Sequence, residues 1–272
     1  MNAPIQIAKS RLRAIISTVG LSGLGLIVVI VALSDVIAHA PAGAHNTSFA
    51  SLMPDARFVF GTDILGRDVM SETVHALAVT VVTAALAATI AIVVGAVFGF
   101  AAARMPWRIG TTLRGFSGVL GTIPALLLAI VVVGLIGRDF AMLAAGLAAS
   151  PSAFNRSFDR AALLARSRHA EYARATGIPS LILLRRDLVY ELRANFINVA
   201  GRALASTTIV LSTMSFLGFG AEPPHRDLGL MIAGARANYL VFWWPALFPA
   251  LALVIFILFS RLAAALSEGE AA

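Results

Sequence analysis

The 272-residue sequence contains no cysteine and a single lysine, Lys9, and only 13% of its residues are charged. Without cysteine there is no disulfide framework and no thiolate metal site. Soluble domains carry about a quarter charged residues, so half that share makes lipid the solvent for most of the chain. Nucleotide hydrolysis within the chain is excluded too. A phosphate-binding loop needs Gly-x-x-x-x-Gly-Lys-Ser/Thr, and although Ser10 follows Lys9, no glycine precedes it. Ionisable groups inside apolar runs mark proton- or ion-coupled transport. Here Arg202 is the one candidate, and an arginine near the end of a span can carry its guanidinium to the membrane surface.

What is present is hydrophobic length. A span needs roughly 20 apolar residues to cross a hydrocarbon core of about 30 Å. Ala14–Ser34, Ala76–Ala103, Phe116–Ile136 and Leu240–Ser260 each suffice, and Phe140–Phe154 and Ile197–Gly220 are shorter or more polar. The expectation is an all-α membrane protein with about six transmembrane helices. The first run, followed by Ala38-His39-Ala40, has the look of a signal peptide, but it exceeds the 7–15 residues of a signal core and is read as a retained span.

Arginine placement sets an expected orientation. With the N-terminus in the cytoplasm and six alternating spans, the inner side collects Lys9, Arg11, Arg13, Arg104, Arg108, Arg114, the eight arginines from Arg156 to Arg193, and Arg261. The outer side receives Arg57, Arg67, Arg138, Arg226 and Arg236. Fifteen against five is the positive-inside pattern, with both termini cytoplasmic. The same arginines flank spans and form no single basic face, which argues against nucleic acid as a partner.

The organisation read from these signals begins with a cytoplasmic N-terminus and first span (1–38) and an outer loop (39–75). A five-helix core (76–260) follows, holding a cytoplasmic segment (155–195), and 261–272 form a tail. In the loop, Gly61 and Gly66 suit turns, and Asp63 and Asp68 can accept backbone N–H bonds or pair with Arg67. Gly95-x-x-x-Gly99 offers a small-residue face for close helix packing. Pro124 marks a kink, and Tyr239, Phe242, Trp243 and Trp244 suit an aromatic belt at the outer interface. Single histidines (His39, His45, His75, His225) lie scattered without ligand spacing, so no metal site is expected.

The cytoplasmic segment reads as a helix, a break at Gly177-Ile178-Pro179, and a second basic amphipathic helix, "SLILLRRDLVYELRANF". Three motifs in this sequence carry a resemblance. "GTDILGRDVMS" (Gly61–Ser71) is similar to G-T-D-x-L-G-R-D. "EYARATG" (Glu171–Gly177) is similar to E-A-A-x-x-x-G. "SFLGFGAEPPHRDLGLMI" (Ser215–Ile232) is similar to S-F-L-G-L-G-x-x-P-P-x-x-x-W-G-x-M-I, with "LFPALAL" (Leu247–Leu253) after it. Together they resemble the second ("C-type") permease of the dipeptide/oligopeptide/nickel family of bacterial ATP-binding-cassette importers, over roughly Phe60 to Ser260. Val189-Tyr190 stand where that family has Leu-Pro, Leu228 where it has Trp, and the family's acidic tail motif is missing from "SRLAAALSEGEAA".

The resemblance implies a type I importer permease that performs no covalent chemistry and binds no cofactor, with ATP and Mg²⁺ held by separate subunits. The implied partners are a second permease in a heterodimer, two ATP-binding subunits, an extracytoplasmic solute-binding protein and membrane lipid. Glu171, Tyr172, Ala173, Arg174 and Gly177, with Arg185 and Arg186, would form the ATPase-coupling interface. Gly61, Asp63, Gly66, Arg67, Asp68, Glu222 and Arg226 would lie on the binding-protein side. Ser206, Thr207, Ser212 and Thr213 are candidates for path lining, although such hydroxyls often bond their own helix carbonyls. Peptide, nickel and metal chelate all fit as cargo. The rivals are a stand-alone secondary transporter or channel, and a membrane scaffold that binds a cytoplasmic partner.

Overall fold

A computed structural model describes residues 3–165, 176, 180–220 and 226–265. Among them there is no strand, only an isolated bridge between Thr62 and Asp68. The helices are α1 (Ala3–Ala32), α2 (Ser34–Ile37), α3 (Val69–Ala102), α4 (Trp107–Thr122), α5 (Ala125–Ile136), α6 (Ala141–Ala165), α7 (Ser180–Phe216), α8 (Leu228–Ala235) and α9 (Trp244–Ala263). Helix α3 is the hub. It packs on α1, α2, α4, α6, α7, α8 and α9, most extensively on α6, while α1 runs along α9.

The core between these helices is built largely of alanine: Ala84 and Ala87 of α3 meet Ala144, Ala145 and Ala148 of α6. Small side chains let helix backbones approach where lipid, as apolar as the core, supplies no hydrophobic drive to association. Larger residues point the other way, with Leu26, Val131 and Phe98 about 60% exposed. That inversion is expected of helices whose outer faces meet lipid. Residues 14–32 of α1, α3 and α9 are each long and apolar enough to span a membrane.

The expected third span is not one rod. Helices α4 and α5 meet at 95°, because Pro124 forbids the α region to the residue before it: Ile123 is extended, at φ −76° and ψ 130°. Pro151, by contrast, is accommodated inside α6. It can donate no hydrogen bond to the carbonyl of Leu147, and Ser150 Oγ donates to that carbonyl instead at 2.7 Å. The basic amphipathic helix and the fifth span both belong to α7, which is continuous for 37 residues. No Gly or Pro interrupts Ser180–Ala200, and Gly201 is held tightly, since a Cβ there would sit 2.6 Å from the Ser260 carbonyl oxygen.

Candidate functional site

At one end of the bundle, residues 39–68 fold over the start of α3 and the start of α9. The "GTDILGRD" stretch is the organiser. Gly61 and Gly66 adopt φ of +72° and +71°, a region that glycine enters without steric cost. Thr62 is fully buried: its hydroxyl donates to the Phe49 carbonyl at 2.5 Å and accepts from Leu52 N–H at 2.8 Å. Asp63 Oδ1 accepts the amides of Leu65 and Arg67, at 2.8 and 2.9 Å. Asp68 caps α3, taking the amides of Met70 and Ser71.

Helix α3 therefore begins at Val69, seven residues before the apolar run suggested. Its first turn buries Glu72, which sequence reasoning passed over. Oε1 accepts the Gly43 amide at 2.5 Å, and Oε2 lies 3.6 Å from Arg226 Nη1. Arg226 precedes α8, outside the spans. Burial, and then the charge of nearby Arg67, push its guanidinium below the usual range, against the opposing pull of Glu72 and Asp63. Arg67 in turn faces Asp63 Oδ2 at 4.0 Å. Asp63, Arg67, Glu72 and Arg226 thus border one cavity of about 230 Å³, closed on its apolar side by Leu65, Val69, Leu230, Met231, Phe242 and Pro245.

Trp244 corrects the aromatic-belt expectation. It is 1% exposed, and its indole N–H donates to the Thr62 carbonyl at 2.9 Å, tying α9 to the loop. Phe60 stacks on Phe248 beside it, with centroids 4.0 Å apart. Trp244→Phe leaves that carbonyl without its donor, at an expected cost of about 1–3 kcal/mol. Thermal unfolding of the two purified chains measures it.

The hydroxyls of α7 divide by face. Thr207 is fully buried and donates to Ala84 and Ala203 carbonyls, at 3.0 and 2.9 Å, so it holds α7 to α3. Ser206 and Thr213 donate to Ala203 and Ile209 within their own helix. Ser212 Oγ is buried without a hydrogen-bond partner among the described residues. Ser212 and Thr213 border a groove with Ile209, Phe216, Gly229, Ile232, Leu253 and Ile257. Arg185 and Arg186 are exposed near the start of α7. Glu171, Tyr172, Ala173, Arg174, Gly177 and Glu222 lie outside the described residues.

The helical hub, the charged loop end and the long α7 can be set beside known proteins. Residues 91–269 match the family described as the binding-protein-dependent transport system inner membrane component. The chain belongs to this family. This permease is 30% identical over 211 residues to the peptide transport system permease protein SapC of Escherichia coli O6:H1, covering 76% of this chain and 71% of that one. It is 27% identical over 206 residues to the di/tripeptide transport system permease protein DppC of Pseudomonas aeruginosa (75% and 68%). It is 26% identical over 207 residues to the glutathione transport system permease protein GsiD of Pectobacterium atrosepticum (75% and 69%). The resemblance drawn from the three motifs to the C-type permeases of importers holds. The permease is a multi-pass inner-membrane protein that works with other subunits.

Proposed function

We propose that this chain is one of two permease subunits of an ATP-driven importer of peptides or a related small solute. A soluble binding protein delivers the solute at the loop end, which faces outward, and both termini lie in the cytoplasm. Two separate subunits bind ATP and Mg²⁺ and hydrolyse the nucleotide; this chain holds no cofactor. The peptide class follows from the cargoes in the relatives' names, all of them peptides or peptide-like.

The observation that best supports the reading is α7. Its 37 residues at 1.5 Å each extend about 55 Å, beyond a hydrocarbon core of about 30 Å. The helix starts three residues after "EYARATG", carries exposed Arg185 and Arg186 near that start, and ends at Phe216 beside the loop end. A push on its cytoplasmic end would be felt outside without any flexible joint, so nucleotide and loaded binding protein can bias one bistable element from opposite sides. On that reading Glu171, Tyr172, Ala173, Arg174 and Gly177 meet the ATPase with Arg185 and Arg186, and Ser206, Ser212 and Thr213 stand nearest the solute.

The chain lacks cysteine, so Thr176→Cys introduces its only thiol, and Thr176 is exposed. Co-expressed with its ATPases, each bearing one cysteine in the cleft that receives the permease, the variant should cross-link efficiently and in a nucleotide-dependent manner. Absence of any cross-link, with no ATPase co-purifying with the parent chain, would return the protein to a stand-alone transporter or scaffold.

A further inference from the structure

The cavity at the loop end holds an imbalance of hydrogen-bonding capacity. Its two carboxylates are already engaged: Asp63 Oδ1 takes two backbone amides, and Glu72 Oε1 takes that of Gly43. The guanidinium of Arg67 is not. Arg67 Nε and Nη1 are buried without a hydrogen-bond partner among the described residues. The ion pairs of Arg67 and Arg226, at 4.0 and 3.6 Å, are longer than hydrogen bonds. By contrast, Arg114 grips Asp159 through two bonds of 2.7 and 3.0 Å. Two partly buried arginines side by side repel, and unmet N–H donors in a desolvated site cost free energy.

We propose that this cavity is a binding site for a carboxylate borne on a small apolar body, held between the guanidiniums of Arg67 and Arg226. A planar carboxylate accepts from arginine in paired, charge-assisted bonds, and one placed here offsets the repulsion between the two guanidiniums that line the cavity. Leu65, Val69, Leu230, Met231, Phe242 and Pro245 complete the wall with apolar surface. The volume of about 230 Å³ lies below the roughly 300–1,000 Å³ of sites for drug-sized ligands. It therefore takes one residue-sized group and leaves a longer molecule outside. The C-terminal residue of a short peptide has this chemistry, and so does an acidic side chain presented by a docked protein. The site stands on the cavity alone and does not depend on the importer reading.

The test uses the full chain in lipid nanodiscs, with the subunits that co-purify, and isothermal titration calorimetry. The probes are leucyl-leucine, its C-terminal amide, and N-acetyl-aspartate N-methylamide. Binding of the free dipeptide with at least about tenfold weaker binding of the amide, the size expected for a lost charged hydrogen bond, assigns a terminal carboxylate. Binding of the aspartate derivative alone assigns a side-chain carboxylate. Either result supports the site, provided that R67Q weakens the bound probe about tenfold or more. Gly234→Leu is the second variant. Gly234 lines the cavity, and a Cβ there meets nothing within 4 Å. The larger side chain fills the space with both arginines intact, and should abolish binding without lowering the thermal midpoint. No binding of any probe, equal binding of the free dipeptide and its amide, or binding unchanged in either variant would overturn the proposal.

Discussion

Valine at Gly95 should prise α3 from α6 and leave little folded protein. A Cβ at Gly95 would lie 2.4 Å from the Cβ of Ala153 and 2.9 Å from both Phe154 N and the Ser150 carbonyl oxygen. At Gly99 it would lie 2.5 Å from the Phe154 carbonyl oxygen. Two of the three obstacles at Gly95 are backbone, which cannot rotate away as a side-chain tip can. Overpacking costs typically about 1–3 kcal/mol, and this case belongs at or above the upper end because the α3–α6 seam is the most extensive in the molecule. Lipid gives no hydrophobic compensation for a looser seam. Gly95→Val should lose most of its monodisperse peak on fluorescence-detected size exclusion in detergent, and Gly95→Val with Gly99→Val nearly all of it. Gly25→Ala is the control: a Cβ there meets nothing within 4 Å, and alanine for a helical glycine gains up to about 1 kcal/mol. A Gly95→Val chain that elutes and melts like its parent would mean that α3 and α6 are not packed in this way.

That seam was legible in the sequence, because small residues four apart in an apolar run leave a helix only one close face. The break at Pro124 was legible as a place though not as an angle: proline dictates where the ladder stops, and neighbouring helices decide where the chain goes next. The start of α3 was missed because hydropathy stops at charge, and Glu72 and His75 interrupt the run. Asp68 ahead of Val69, with an acid in the first turn, was the helix-start signal to weigh against hydropathy. The continuity of α7 was hidden in the same way by Arg193 and Asn195, although no glycine or proline stood there to end a helix. The cavity could not have been read. Glu72 meets Arg226, and Trp244 meets Thr62 across 182 positions, and no local period encodes such a pairing. The bond from Thr207 to Ala84 was hidden for a related reason: a hydroxyl on a helix reads the same whether it faces a path or a neighbouring carbonyl.

Alanine at Asp227 should uncap α8 and cut its side-chain tie to α7. Oδ1 of Asp227 accepts the Leu230 amide at 2.8 Å and so caps α8, while Oδ2 accepts the hydroxyl of Ser215 near the end of α7. The next amide, Leu228 N–H, donates to Thr80 Oγ1 of α3 at 3.0 Å, and Leu228 is fully buried. One carboxylate thus fixes where α7, α8 and α3 converge. Losing a cap costs about 0.5–2 kcal/mol, and an orphaned buried Ser215 hydroxyl about 1–3 kcal/mol more. Thermal unfolding of Asp227→Ala in nanodiscs should show that drop. Asp227→Asn separates charge from geometry, since the amide oxygen can still cap and the Ser215 hydroxyl can turn to accept. Burial pushes the Asp227 carboxyl above its ordinary range, only partly opposed by the Ser215 hydroxyl and the Leu230 and Gly229 amides. The native chain then holds this proton more tightly than the unfolded chain does. Its contribution to stability is complete below the unfolded carboxylate range, declines as pH rises through the elevated native value, and stays flat beyond it. Asn carries no such charge, so Asp227→Asn should gain on the parent as pH rises from the unfolded carboxylate range through the elevated native value, and Asp227→Ala should lie below both at every pH. A parent whose midpoint tracks that of Asp227→Asn across the range would show that this carboxyl is not buried. An unchanged midpoint for Asp227→Ala would show that it supports nothing. If the drop appears, this one carboxylate ties the C-terminal end of α7 to α8, whose first amide is in turn held by Thr80 of α3. The tie then reaches the rim of the charged cavity, because Arg226, which lines it, is the residue just before Asp227.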